Sequence, residues 1–393
     1  MISVNEARRI LSDNCERGEK QTISLKNSLN LIVAEDIFSP IDVPSFNNSA
    51  MDGYTMKFDE NQHQWQVDTM IQAGDTSVHK IAEGKAARIF TGAKMPEGAD
   101  TVIPQELVEF DSESREITYK DEKIKTGSNV RLRGSQCQKG ELILIKGTQI
   151  TPGVIGLLAS VGLAEVKVFT APSVTYIITG NELKETGTDL QEGEIYNSNG
   201  PMLEALLNNI GITDVTAQKA GDDKEELQQA IDAALEQQDV LILSGGISVG
   251  DYDFVKECLE TAGVKELFYK IKQRPGKPFY AGKKAGKWIF ALPGNPSSGL
   301  SCFNHYVKPC LRHIMGADDV WQPNRILALT NDHKKKSGFT FFVKAKTTGD
   351  KVEVLGAQQS FNLQAFSTAN CFVELEEELD VVKAGTMVKV WDL

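Results

Sequence analysis

A chain of 393 residues with 41% hydrophobic content can bury real cores, and at roughly 150 residues per domain it should divide into about two to four of them. Its 42 Lys and Arg against 54 Asp and Glu give a net charge of −12, which repels nucleic acid and anionic membrane at long range and leaves small ligands as the expected partners. The six cysteines have no C-x-x-C pair or zinc-ligand spacing and should be reduced and mostly buried, and without a signal-like N-terminus or an apolar run of about 18 residues the expected compartment is the cytoplasm.

Ser3 to Glu6 forms a capping-box pattern ahead of Ala7, Ile10 and Leu11, which predicts a short amphipathic helix at the start of the chain. From about Leu29 to Phe169 come short β-rich runs, LIVAEDI, QWQVDTMI and ELILIKG, broken by Gly, Pro, Asn and Asp, so this half reads as mainly β. After Pro172 the period changes. Val174 to Thr179 reads as a buried strand, and Pro201 to Ile210 as a helix with Met202, Leu203, Leu206, Leu207 and Ile210 on one face, ended by Gly211. A helix around Lys224 to Gln237, a strand from Asp239 to Ser244, a helix near Tyr252 to Ala262 and a strand from Lys287 to Leu292 continue the alternation, which is that of a parallel, helix-covered sheet. Beyond Gly316 strands return at Arg325 to Thr330, Phe341 to Lys346, Val352 to Leu355 and Met387 to Trp391, a small C-terminal β domain. The His333 to Lys336 run is expected to be a solvated loop.

Ser244-Gly245-Gly246-Ile247-Ser248-Val249-Gly250-Asp251 lies between an apolar strand and a helix, where backbone N–H groups can converge on an anion such as phosphate. A Gly-rich turn without a ligand is the alternative for this segment taken singly. Thr179-Gly180-Asn181-Glu182-Leu183 and Leu292-Pro293-Gly294-Asn295-Pro296-Ser297-Ser298 follow other strands of the same sheet, so three strand-end loops should open on one crevice. Lys270 to Lys287 carries seven Lys and Arg and no acid; its centre, Arg274-Pro275-Gly276-Lys277-Pro278, is a rigid turn suited to an oxyanion, whereas Lys283, Lys284 and Lys287 read as solvated edge-strand lysines. Glu182, Asp222, Asp223, Asp251 and Asp253 stand at the same loops. If three or more converged, a cation would be expected among them, and beside phosphate that ion is Mg²⁺. The loops Pro44 to Tyr54 and Phe90 to Asp100 pass as turns on their own, and the five histidines offer no nucleophilic arrangement.

Taken in order, NSAMDGY, FTGAKMPEGAD, TGNEL, GDD, SGGISVGDYD, RPGKP and LPGNP resemble the MoeA family of molybdopterin molybdenumtransferases, which includes the E domain of gephyrin. The resemblance spans nearly the whole chain. It implies a multidomain α/β plus β fold: a discontinuous N-terminal domain (1–40 and 134–170), a β-rich domain (41–133), a central parallel α/β molybdopterin-binding domain (171–318) and a small, β-barrel-like C-terminal domain (319–393). It further implies a homodimer with a crevice shared between subunits, and insertion of molybdate into adenylylated molybdopterin with Mg²⁺ help and release of AMP. Asp52 and Thr91 would act from the second domain, and Glu182, Asp222 and Asp253 on Mg²⁺ and the pyrophosphate. Ser244, Gly245, Gly246, Ser248 and Gly250 would cradle phosphate. Arg274 and Lys277, with Pro293, Gly294, Asn295, Pro296 and Ser297, would orient molybdate and the pterin phosphate. Molybdopterin adenylyltransferase and apo-molybdoenzymes are the implied protein partners. One position departs from the family pattern: Gln136 stands where an acid is usual, and a neutral amide is a weak Mg²⁺ ligand. Two other readings share the fold: molybdopterin adenylyltransferase, and a scaffold that has lost the chemistry.

Overall fold

The capping pattern at the N-terminus is realised: the Ser3 side chain accepts from the Glu6 amide at 3.2 Å, and the helix Val4–Asn14 buries Val4, Ala7, Arg8 and Leu11. The computed structural model describes residues 1–119, 123–247 and 254–393. After this helix, Lys20–Ser24 pairs antiparallel with Glu165–Phe169, and Ile37–Phe38 pairs with Leu142–Leu144, so the first forty residues fold together with the segment beyond residue 134. That segment holds a helix, Pro152–Ser160, in a half that reads as mainly β in the sequence. Thr151 caps it by accepting from the Val154 amide, and Pro152 occupies its first turn. Gly153 and Gly156 lower helix propensity and the surrounding residues are apolar all round, so no amphipathic period marks it.

Between these halves lies a six-stranded sheet in the order Thr101–Pro104, Gly53–Met56, Lys85–Ile89, Gln64–Ile71, Glu116–Tyr119, Val108–Asp111. Gln64–Ile71, one of the expected β runs, alternates in burial, with Trp65, Val67 and Ile71 buried.

The central sheet runs Val215–Ala220, Val174–Thr179, Val240–Ser244, Lys287–Leu292, Tyr280–Lys284, Lys265–Tyr269. The first four strands are parallel, Tyr280–Lys284 runs against them, and Lys265–Tyr269 pairs antiparallel with Tyr280–Lys284. Val174–Thr179 and Val240–Ser244 are buried along their whole length, as strands covered on both faces must be. Alternate residues feed two cores. Tyr176, Ile178, Ile242 and Phe290 meet Leu203 and Leu207 on one face, while Ile177, Leu241, Leu243 and Ile289 meet Leu227, Ile231 and Leu259 on the other. Tyr280–Lys284 is an interior strand, so its lysines are not edge residues. The Lys283 ammonium donates to the Asn14 carbonyl at 2.8 Å and stands 4.9 Å from the Trp288 ring centroid, and Lys287 donates to the Glu236 carbonyl. Apolar stems with satisfied ammonium tips explain the run better than bulk solvation.

At the C-terminus, Thr340–Thr348, Lys351–Val354, Arg325–Leu329, Met387–Asp392 and Cys371–Leu375 pair in that order, and the first and last pair with each other, closing a five-stranded barrel. Gln273–Arg274 joins it as a parallel strand on Thr340–Thr348, which fastens the RPGKP turn to the barrel. The His333 to Lys336 run is not a free loop: His333–Lys334 pairs with Val381–Val382, and Lys335 donates to the Phe339 and Glu377 carbonyls. The barrel is locked to the N-terminal helix by Arg8, whose guanidinium bonds Glu374 at 2.9 Å and lies 4.3 Å from the Trp391 ring centroid. All six cysteines are free and buried. No helix among the described residues is long and apolar enough to cross a membrane.

Candidate functional site

Strand register sets the site. Ile178 pairs with Ser244, Ser244 with Leu292, and Thr179 with Ala220, so four strands end level and their loops leave from one edge of the sheet. Such an edge is where open α/β sheets bind ligands. The crevice there has a volume of about 650 Å³ and is lined by Gly180, Glu182, Asp222, Ser244 to Ile247 and Pro293 to Pro296, among others. The three expected loops therefore converge, joined by a fourth that carries Asp222 after the strand Val215–Ala220. Ser248, Gly250, Asp251 and Asp253 lie outside the described residues.

Glycine is required in the central loop. Gly245 and Gly246 have φ of +101° and +60°, and a Cβ on Gly245 would stand 2.5 Å from the Thr179 hydroxyl oxygen and 2.9 Å from its carbonyl oxygen. The neighbouring loops are tied to one another: the Asn181 amide donates to Asp222 Oδ2 at 3.1 Å, and the Asp222 amide donates back to Asn181 Oδ1. Asp223, by contrast, is a helix cap, accepting from the Glu225 and Glu226 amides. Glu182 is exposed at the crevice.

Asn199 is a site residue that the sequence reading missed. It is 8% exposed, and its Nδ2 donates to Ser244 Oγ at 3.0 Å and to the Gly294 carbonyl at 2.8 Å, bracing the Gly-rich loop against the Pro-Gly-Asn turn. The carbonyl fixes the amide's orientation, because a flipped side chain would set oxygen against oxygen. The signal was the polar triplet Asn197-Ser198-Asn199 ahead of a helix, which helix capping alone would also explain.

Arg274 and Lys277 are exposed and form no ion pair with any described residue. The Arg274 guanidinium stands 5.1 Å from the Phe339 ring centroid. Their turn is held from inside by Gln273, fully buried, which donates to the Pro275 and Gly276 carbonyls and accepts from the Tyr306 hydroxyl. A second cavity, about 450 Å³, lies between this turn and the barrel strand carrying Phe341 to Val343. It shares Pro278, Pro293 and Asn295 with the main crevice, so the two cations border a pocket adjacent to the anion loops.

Asp52 and Thr91 are brought together elsewhere. Both the Thr91 amide and hydroxyl donate to Asp52 Oδ1, at 2.8 and 2.7 Å, and these bonds, with Arg88 nearby, hold the Asp52 carboxyl below its ordinary pKa. No described residue from the first 170 lines the crevice, so this pair does not meet Glu182 and Asp222 within one chain. Gln136 is also remote, donating to Ser160 Oγ. Among the described residues no three His, Cys, Asp or Glu side chains cluster as a metal site.

Comparison with known proteins gives the same layout. The pattern described as MoeA N-terminal region (domain I and II) matches residues 2–162, the probable molybdopterin binding domain matches residues 175–313, and the MoeA C-terminal region (domain IV) matches residues 327–393. A molybdopterin molybdenumtransferase of Haemophilus influenzae is 36% identical, covering 99% of this chain and 98% of its own. One from Staphylococcus aureus is 36% identical over 94% of this chain and 90% of its own. A crystal structure of the molybdopterin biosynthesis MoeA protein of Pyrococcus horikoshii superposes with a TM-score of 0.80 at 25% identity, covering 100% of both chains.

Proposed function

The chain belongs to the MoeA family, and on that premise we propose that it is a molybdopterin molybdenumtransferase working at a late step of molybdenum cofactor biosynthesis. It takes adenylylated molybdopterin and molybdate and yields molybdenum cofactor and AMP. The observation that carries this reading is the register of the four strand ends, which sets a glycine loop, two carboxylates and a braced Pro-Gly-Asn turn around one crevice, beside a second pocket lined by Arg274 and Lys277.

Both substrates are anions, so the residues must attract and orient negative charge. The Ser244 to Gly246 loop and the Pro293 to Ser297 turn hold the phosphate groups, and Asn199 keeps the two at fixed separation. Arg274 and Lys277 gather molybdate. Water displaces AMP from the pterin phosphate, and molybdate exchanges one oxo group for the substrate's own two dithiolene sulfurs, the oxo group leaving as water with the two thiol protons, so molybdenum keeps its oxidation state. Mg²⁺ fits the two described acids, since it is commonly held by one or two carboxylates plus substrate phosphates, and its charge would offset that on the phosphate oxygens. Glu182 and Asp222 would hold it, with Asp253 as a third.

Asp52 and Thr91, remote from their own crevice, suit a homodimer in which each reaches the partner's. Apolar surface near the N-terminal segment supports this: the helix Pro152–Ser160 buries only Leu158 of its nine residues, and the paired Phe38 and Leu142 are 54% and 45% exposed. Six buried, unpaired thiols suit a reducing compartment, the cytoplasm, where the upstream adenylyltransferase and downstream apo-molybdoenzymes would be met. The rival adenylyltransferase reading needs only the central α/β region and leaves both flanking β regions without a role. A scaffold would not need Asp52, Glu182 and Asp222, all present.

The test is to supply the purified protein either adenylylated molybdopterin with molybdate and Mg²⁺, or molybdopterin with ATP. AMP formed only in the first mixture, and only with molybdate, supports the transferase. Adenylylated product from the second establishes the adenylyltransferase instead, and binding without turnover the scaffold.

A further inference from the structure

The crevice is larger than a diphosphate group needs, and its lining is of two kinds. Polar and backbone groups come from Gly180, Ser244, Gly245 and the Pro-Gly-Asn turn. The apolar lining includes Ile195, Tyr196 and Phe361, which are 54%, 44% and 68% exposed and are three large apolar side chains left uncovered at one opening. Exposed apolar groups grouped at a pocket mouth mark a binding surface.

Phe361 comes from the C-terminal barrel region, yet its place over the α/β crevice is fixed. The preceding Ser360 is bonded twice to the Pro-Gly-Asn turn: the Ser297 amide donates to the Ser360 carbonyl at 3.1 Å, and Asn295 Nδ2 donates to Ser360 Oγ at 3.2 Å. Tyr196 is held too. Its hydroxyl donates to the Thr188 carbonyl at 2.8 Å, and its strand pairs Leu183↔Ile195 and Lys184↔Tyr196. The two rings are therefore supported by separate anchors and border the same space.

We propose that Phe361, with Tyr196, forms a stacking subsite for a planar nitrogen heterocycle, the ring end of a substrate whose phosphates rest on the glycine loop. This rests on the crevice being the phosphate site and deepens that reading by assigning the ring a place. An aromatic face suits it because stacking needs no particular hydrogen-bond pattern and covers apolar surface that otherwise faces water. Adenine and pterin share the chemistry.

The experiment titrates the full-length protein with three probes, AMP, a phosphorylated pterin and inorganic pyrophosphate, for the wild type, Phe361→Ala, Phe361→Tyr and Tyr196→Ala. Base-stacking losses on alanine substitution correspond to about a 5- to 150-fold weaker Kd. The expected result is a loss in that range for at least one ring-bearing probe in Phe361→Ala, recovery in Phe361→Tyr, and unchanged binding of pyrophosphate. Whichever ring probe responds identifies the ring. Unchanged affinity for both ring probes, with pyrophosphate still bound, overturns the stacking subsite. Failure of the wild type to bind pyrophosphate would instead overturn the phosphate reading beneath it. Phe361 is exposed, so folding should survive its truncation; thermal unfolding of each variant checks this.

Discussion

Replacing Gly245 by alanine should disable the crevice without unfolding the chain. Two costs can be read from the structure. The left-handed backbone at φ +101° penalises a Cβ by about 1–2 kcal/mol. That Cβ would also lie 2.5 Å from the Thr179 hydroxyl oxygen and 2.9 Å from its carbonyl oxygen, and overpacking of this kind costs about 1–3 kcal/mol. Together they disfavour the native loop by about 2–5 kcal/mol, which relief by loop movement converts into a lower population of the binding-competent form. Affinity for inorganic pyrophosphate should then fall by about 30-fold to several thousand-fold, measured by calorimetric titration. Gly286→Ala separates the two costs, since Gly286 has φ +86° and a Cβ there would meet nothing within 4 Å, so this variant bears conformational strain alone. A Gly245→Ala protein that binds pyrophosphate like the wild type and melts at the same temperature would refute the reasoning.

Glu374→Ala should lower stability by about 3–5 kcal/mol in urea unfolding, because it leaves the buried Arg8 guanidinium and the Trp391 indole N–H without their acceptor, whereas Glu374→Gln keeps an acceptor and should lose less. His305 is fully buried and burial pushes its pKa well below 6.5, so below about pH 6.5 the unfolded chain binds a proton that the native one refuses; stability should fall with falling pH by up to about 1.4 kcal/mol per unit, and His305→Phe should flatten that slope in denaturation curves taken from pH 7 to 5. Thr91→Val removes the hydroxyl that most lowers the Asp52 pKa, so the acid limb of the pH–rate profile should move to higher pH; an unmoved limb would detach Asp52 from it. Glu182→Gln should raise the Mg²⁺ concentration needed for half-maximal AMP release, and an unchanged requirement would remove Glu182 from the metal's ligands.

Strand-end loops were legible because turn chemistry is local: Gly245 and the Pro293 to Pro296 turn advertise their backbone demands in four or five residues. Buried strands such as Val174–Thr179 and the cap at Ser3 were legible for the same reason. What the sequence concealed depends on contacts distant along the chain. Asn199 gains its role only from touching Ser244 and Gly294, and Phe361 reaches the crevice because Ser360 is bonded to Asn295 and Ser297. Lys283 read as solvated because nothing local reveals that Asn14 supplies its acceptor. The helix Pro152–Ser160 escaped through its own composition, apolar on every side and carrying two glycines. Asp52 and Thr91 were found as a pair only by resemblance, since each stands in a loop that turn chemistry explains fully.

The most direct test of the account is a single-turnover reaction of the purified protein with adenylylated molybdopterin and Mg²⁺, with and without molybdate, followed by transfer of the product to a cofactor-free molybdoenzyme. Molybdate should bring stoichiometric AMP release together with recovered molybdoenzyme activity. AMP release without any recovered activity, or recovery that is independent of this protein, would contradict this expectation.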